Sequence, residues 1–124
     1  MYQKKIDKTF KSFLKIEFLD DSYSKPFIFK DSNIINIGRS NQNDIVLNQK
    51  DKNISRNHCT IYIKDNKIFL EDKSSNGTYI NNEKQLGKTS ELIGEEIIKF
   101  SKNGERIKIK IKKNQNDNSI VSEN

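Results

Sequence analysis

The sequence is short of most residues that announce a fold or a chemistry. Its 124 residues include no tryptophan and no alanine, one proline, one histidine, one cysteine and five glycines. A lone Cys59 excludes an internal disulfide, and with His58 as the single histidine there is neither a zinc-ligand set nor a redox pair. No metal or cofactor is therefore expected. The scarcity of glycine and proline excludes collagen-like and low-complexity chains. The lack of alanine, in a chain whose apolar residues are mostly isoleucine, favours strands over helices. No apolar run approaches the roughly 20 residues of a membrane span. The basic segment Met1 to Lys5 is not followed by the apolar stretch of a signal peptide. The expectation is a soluble, cytoplasmic protein with no membrane partner.

Hydrophobic and charged residues are equally abundant, at 32% each, so any core is lean. The net charge of +6 is compatible with nucleic acid, acidic lipid or phosphorylated protein and does not choose among them. The length suits one domain, bounded here at residues 13–112. Residues 1–12 read as a flexible basic lead-in and 113–124 as a disordered polar tail.

Alternation of apolar and polar residues recurs in short stretches. Leu14, Ile16 and Phe18 alternate with Lys15 and Glu17, and Phe27 to Phe29 follow Pro26. Asp20-Asp21-Ser22 and Asp31-Ser32-Asn33 read as turns. Ile34 to Ile37 and Ile45 to Leu47 form further strands. His58 opens a strand in which Cys59, Ile61 and Ile63 share one face, and Asp65-Asn66 turns it back to Ile68 and Leu70. Thr78 to Ile80 leads into a tight turn at Asn81-Asn82. Ile97 to Phe100 and Arg106 to Lys112 complete the set. Residues 83–94 carry no clear pattern. About ten short strands with turns between them indicate an all-β, antiparallel sandwich or barrel.

Three polar islands interrupt the strands: Gly38-Arg39-Ser40, Ser55-Arg56-Asn57-His58, and Ser74 to Thr78. Each lies where a strand gives way to a loop, the usual place for binding residues on a β scaffold. Arg39 and Arg56 offer planar donor forks suited to phosphate or carboxylate, Ser55 and Ser75 offer hydroxyls, and Asn76 an amide. Gly38 permits close backbone approach and Gly77 a sharp bend. Brought together, these groups suit an anion attached to a peptide backbone.

Gly38-Arg39, Ser55-Arg56-Asn57-His58 and Asn76-Gly77-Thr78 with Asn81 resemble the forkhead-associated (FHA) domain in order, type and spacing. The resemblance spans roughly residues 13–112, with Asp44 to Leu47, Leu70-Glu71-Asp72 and Glu95 to Phe100 agreeing as flanking features. It implies an 11-stranded β-sandwich that binds phosphothreonine peptides through loops at one end, acting as a monomeric adaptor in Ser/Thr kinase signalling. It assigns phosphopeptide binding to Arg39, Ser40, Ser55, Arg56, Ser75 and Asn76. Arg39 pairs with the phosphate, Ser55 bonds a phosphate oxygen, Arg56 adds charge, Ser75 lines the pocket and Asn76 holds the peptide main chain. Gly38, His58, Gly77 and Thr78 are structural. Two segments depart from the family pattern: Asn48 to Ile54, with mixed charges at Lys50, Asp51 and Lys52, and residues 83–94.

Other readings compete. Ser55, His58 and Asp72 contain the residue types of a hydrolase triad, but no nucleophile-elbow sequence accompanies them. His58 and Cys59 are strand neighbours and point to opposite faces. The expectation is a protein without enzymatic activity. The basic strand 106–113 is the alternative, as a nucleic-acid surface, although no aromatic ladder accompanies it. Thr9 is a candidate phosphorylation site within the lead-in.

Overall fold

The computed structural model describes residues 12–19, 27–30 and 34–113. Eleven strands make up the fold: β1 (Ser12–Phe18), β2 (Phe27–Lys30), β3 (Ile34–Gly38), β4 (Ile45–Val46), β5 (Cys59–Lys64), β6 (Lys67–Asp72), β7 (Tyr79–Ile80), β8 (Glu83–Lys84), β9 (Thr89–Leu92), β10 (Ile97–Lys99) and β11 (Arg106–Lys113). No helix occurs among the described residues. The turns expected at 20–22 and 31–33, the bulk of the lead-in with Thr9, and the tail from 114 lie outside the described residues.

Two sheets form a sandwich. One has six strands in the order β2-β1-β11-β10-β7-β8, the other five in the order β4-β3-β5-β6-β9. Every ladder is antiparallel except β3 with β4, which run parallel at Ile37↔Ile45 and Gly38↔Val46. The longest ladder joins β1 to β11 from Ser12↔Lys113 to Phe18↔Ile107. Lys15 lies opposite Lys110 in this register, an unfavourable pairing by itself. Glu17 bridges both ammoniums, at 3.4 Å from Lys15 and 3.5 Å from Lys110.

Isoleucine supplies ten of the fifteen buried apolar side chains. A β-branched residue packs well on a pleated surface, so a core this rich in isoleucine is a core of strands. Ile16, Ile98, Ile107 and Ile109 come from the six-stranded sheet, and Ile35, Ile37, Ile61, Ile68 and Leu70 from the other. Leu47 and Ile54 are also buried although neither belongs to a strand. They plug the long connection between β4 and β5 into the core. Burial of one such side chain is worth about 1.5–3 kcal/mol, enough to hold a polar loop in place.

Two hairpins turn through paired residues in the left-handed region: Asp65 and Asn66 at φ 54° and 62°, Asn81 and Asn82 at 48° and 71°. This geometry matches strand twist, and Asn and Asp tolerate it best after glycine. The patternless stretch 83–94 contains two strands, β8 and β9. Both are edges, and only Leu92 among their six residues is buried.

Candidate functional site

Antiparallel pairing places the C-terminal ends of β3, β6 and β10 beside the starts of β5, β7 and β11. The three polar islands therefore emerge at one end of the sandwich. Main-chain hydrogen bonds join them. Arg39 N–H donates to Ser55 O at 3.0 Å and Ser40 N–H to Arg56 O at 3.1 Å. Asn43 clamps the same junction, its Nδ2 donating to Ser40 O at 2.9 Å and Arg56 O at 2.7 Å. A Cβ on Gly38 would lie 2.1 Å from Arg56 O, so only glycine allows these backbones to approach.

Arg39 is oriented by its own backbone neighbours. Its Nε donates to Ile54 O at 2.8 Å, and Ile54 is fully buried. That contact fixes the guanidinium plane and leaves the terminal nitrogens for a ligand. Arg39, Ser40 and Arg56 line one depression of about 340 Å³, together with Asn41, Gln42 and Gln49. No described carboxylate forms an ion pair with either arginine.

Ser55 and Ser75 meet at the next position. Ser55 Oγ accepts from Ser75 N–H at 3.0 Å, which leaves the hydroxyl proton to donate outward. Asn76 Nδ2 reaches Asn53 O at 3.3 Å and opens onto a second depression of about 410 Å³, which Tyr79 and Lys84 also line. The six expected ligand-binding residues thus share one end of the fold: Arg39, Ser40 and Arg56 line one depression and Asn76 the other, while Ser55 and Ser75 line neither of the two.

His58 ties the three loops together. Its N–H donates to Ile37 O at 2.9 Å, its carbonyl accepts from Lys73 N–H at 2.9 Å, and Nδ1 accepts from Ser55 N–H at 3.1 Å. The ring is fully buried, edge-on to Phe100 with centroids 5.6 Å apart. Burial pushes the imidazole below its ordinary pKa; Asp72, the Gly77 backbone and Asp51 offset only part of that. With Nδ1 accepting, the proton sits on Nε2, which has no hydrogen-bond partner of normal geometry among the described residues. Ser55 meets this imidazole through its backbone amide, so the hydroxyl is not the group that His58 holds. Cys59 is buried, and that burial pushes its thiol far up.

Asp72 organises the third loop. Oδ1 accepts from Ser74 N–H at 3.3 Å, Ser74 Oγ at 2.6 Å and Thr78 Oγ1 at 2.7 Å, while Oδ2 accepts from Gly87 N–H at 2.8 Å. Ser74 Oγ in turn accepts from Gly77 N–H at 2.7 Å, where Gly77 stands at φ +102°. Burial acts to raise the Asp72 carboxyl, but the hydrogen bonds from Ser74, Gly87 and Thr78 prevail and hold it below the ordinary range. Asp72 continues the inward face of Ile68 and Leu70, so strict alternation along β6 places it against the core. Ile54 was likewise visible as the one apolar residue of a polar loop. Nothing in the sequence points to Asn43.

The basic strand β11 is largely neutralised where its partners are described. Lys110 pairs with Glu17, and Lys108 with Glu95 at 3.2 Å. No group of three or more metal-ligating side chains occurs among the described residues. No described helix is long and apolar enough to cross a membrane.

Residues 35–101 match the family model of the FHA domain. No curated protein sequence matches the chain. Among solved structures, the FHA domain of CT664 from Chlamydia trachomatis superposes with a TM-score of 0.63 at 26% identity, covering 80% of this chain and 95% of that one. The FHA domain of yeast Dun1, in complex with a doubly phosphorylated peptide derived from Rad53, gives 0.66 at 25%, covering 90% and 82%. Mycobacterium tuberculosis EmbR, in complex with a low-affinity phosphopeptide, gives 0.68 at 22%; 81% of this chain covers 24% of that one.

Proposed function

The chain belongs to the FHA domain family, and on that premise we propose that it is a phosphothreonine-peptide binding module acting as an adaptor in Ser/Thr kinase signalling. The observation that carries the reading is Arg39. Its Nε is anchored on the buried Ile54 carbonyl, and its free nitrogens share a depression with Ser40 and Arg56. A phosphorylated side chain brings about −1.5 to −2 charges and three acceptor oxygens to such a place.

Arg39 and Arg56 supply charge, Ser40 and Ser55 hydroxyl donors, Ser75 the facing wall and Asn76 the amide for the peptide main chain. Gly38, His58, Gly77 and Thr78 shape the loops. The module spans residues 13–112, works as a monomer in the cytoplasm, and produces its effect through what it recruits rather than by catalysis. The likeness to FHA domains solved with phosphopeptides supports this reading.

Fluorescence anisotropy with matched phosphothreonine, phosphoserine and unmodified peptides tests it. The phosphothreonine form should bind best, and Arg39→Ala should weaken it about 10- to 100-fold, the worth of one charge-assisted hydrogen bond of about 1.5–3 kcal/mol. Equal binding of modified and unmodified peptides would sink the reading. Duplex DNA should not displace the peptide; if it binds, and does so through Lys108 and Lys110 with no dependence on Arg39, the basic strand is the functional surface instead.

A further inference from the structure

Two asparagines of the chain precede a glycine, Asn76 and Asn103. In this sequence the asparagine side chain is most open to attack by the next main-chain nitrogen, because glycine has no Cβ to bar the approach. Both side chains are exposed, so sequence and solvent treat the two alike. Their glycine amides differ.

Gly77 is buried, and its N–H donates to Ser74 Oγ at 2.7 Å. That hydroxyl gives its own proton to Asp72 Oδ1 at 2.6 Å, which strengthens it as an acceptor. Freeing the Gly77 nitrogen therefore disturbs a network that also holds Thr78 and Gly87. Asn76 is tethered as well, with Nδ2 on Asn53 O at 3.3 Å. Gly104, by contrast, closes the turn between β10 and β11, in which Lys102 and Asn103 are exposed. Its N–H donates to Ser101 O at 3.2 Å, the long end of the normal range. No hydrogen bond holds the Asn103 side chain among the described residues. A Cβ at Gly104 would run into Ser101 Oγ, so the turn requires the glycine that leaves Asn103 open.

We propose that Asn103 is a site of spontaneous deamidation, and that the Asp72–Ser74 network shields Asn76 from the same reaction. The Gly104 nitrogen forms a bond to Asn103 Cγ and the Cγ–Nδ2 bond breaks. Ammonia leaves with the proton of the Gly104 amide, and a cyclic imide remains. Water then opens the ring at either carbonyl, to aspartate or to isoaspartate, with nothing oxidised or reduced.

The new carboxylate arises beside two others. Asn103 lines a depression of about 270 Å³ with Asn48, Asp51 and Glu105. Through those two carboxylates the turn and the β4–β5 connection hold each other. Ser101 Oγ donates to Asp51 Oδ2 at 3.3 Å, and Asn48 N–H to Glu105 Oε1 at 2.9 Å. A third negative charge repels both, and isoaspartate also lengthens the main chain of the turn. The connection that carries Ser55 and Arg56 is thereby loosened.

Ageing the full chain in warm, mildly alkaline buffer tests the proposal. Digestion after lysine separates residues 74–84 from 103–108 for mass spectrometry. In the folded protein Asn103 should deamidate about ten-fold or more faster than Asn76. In urea, where neither amide is held, the two rates should agree within about three-fold. Ser74→Ala should bring Asn76 towards its unfolded rate and leave Asn103 unchanged. Should that variant not fold, amide exchange in the unaltered protein makes the same comparison, with Gly104 about ten-fold or more faster than Gly77. In the aged protein the Asn48 amide should exchange about five-fold faster, the worth of one hydrogen bond. An unreactive Asn103, equal folded-state rates, or a Gly77 amide that exchanges as fast as Gly104 would each overturn the proposal. An unchanged Asn48 amide would overturn the loosening.

Discussion

Replacing Asp72 by Asn tests whether one carboxylate holds the third loop. The change keeps the shape and removes only the charge and one acceptor. Three donors converge on Oδ1 and one on Oδ2. An Asn oxygen placed at Oδ1 retains the three and turns its NH2 against Gly87 N–H at 2.8 Å, donor against donor. Turning the amide over is worse, because the NH2 then faces Ser74 N–H, donor against donor, and the Ser74 and Thr78 hydroxyl protons lose their acceptor. The part-buried Gly87 amide loses its protein acceptor, at about 1 kcal/mol, and the remaining bonds lose their charge assistance. The sum is about 2–4 kcal/mol, a large part of the 5–15 kcal/mol typical of a domain. For a fold of about 100 residues that lowers Tm by about 10–20 °C.

Thermal unfolding of Asp72→Asn beside the unaltered protein supplies the number, and pH supplies an internal control. The Asp72 carboxyl is held low in the folded state, so its stabilisation is complete above the ordinary aspartate range and is lost as pH falls through the folded value. The gap between the two proteins should stay constant from about pH 7 to 5 and close in stronger acid. A Tm change under about 3 °C, or a gap that widens in acid, would refute the argument that hydrogen bonds to an ionised carboxylate fix this loop.

Gly38→Ala should cost more than the usual surface substitution, about 2 kcal/mol or above, because its Cβ meets a main-chain oxygen that cannot move without opening the Arg39–Ser55 and Ser40–Arg56 bonds; urea unfolding measures the cost, and phosphopeptide affinity should fall with it. His58 is the chain's one histidine, so its imidazole resonance is unambiguous by NMR. Its pKa is lowered in the fold, so stability should hold above about pH 6.5 and decline as pH drops from there through the folded value, as protonation of Nδ1 releases Ser55 N–H; a titration at or above the ordinary histidine value would contradict this. Asn82→Val should destabilise by about 1–2 kcal/mol, since a β-branched residue resists φ 71°, whereas Asn82→Gly should be nearly neutral by the same unfolding measurement.

Much of the fold is legible from strand alternation and turn chemistry, because both act over a few residues. Ile61 and Ile63 opposite Leu70 and Ile68, with Asp65-Asn66 between them, needed only period two and a left-handed turn. β5 begins at Cys59 rather than His58, and β4 stops at Val46 before Leu47. In both cases the residue at the boundary is held by a single main-chain bond to β3 rather than by a ladder. The strands at 83–84 and 89–92 leave no periodic trace, since an edge strand with exposed side chains has no buried face to mark in the sequence. The residues of the candidate site stand out in the sequence by type and order, and the fold brings them to one end. The bonds that hold them in place exist only after folding: Asn43 Nδ2 reaches Arg56 O, the Ile54 carbonyl takes Arg39 Nε, and Asp72 takes Gly87 N–H.

His58 has a kinetic consequence. Through one residue, β3, the β4–β5 connection and the loop after β6 share hydrogen bonds, so none of the three can open alone without breaking a bond belonging to another. Regions coupled in this way exchange their amide hydrogens as a unit, with one opening free energy common to Ser55, His58 and Lys73. A ligand that touches only the first loop then slows exchange in all three. On this coupling, a ligand bound at Arg39 would raise amide protection at Lys73 without touching it, which hydrogen exchange measures.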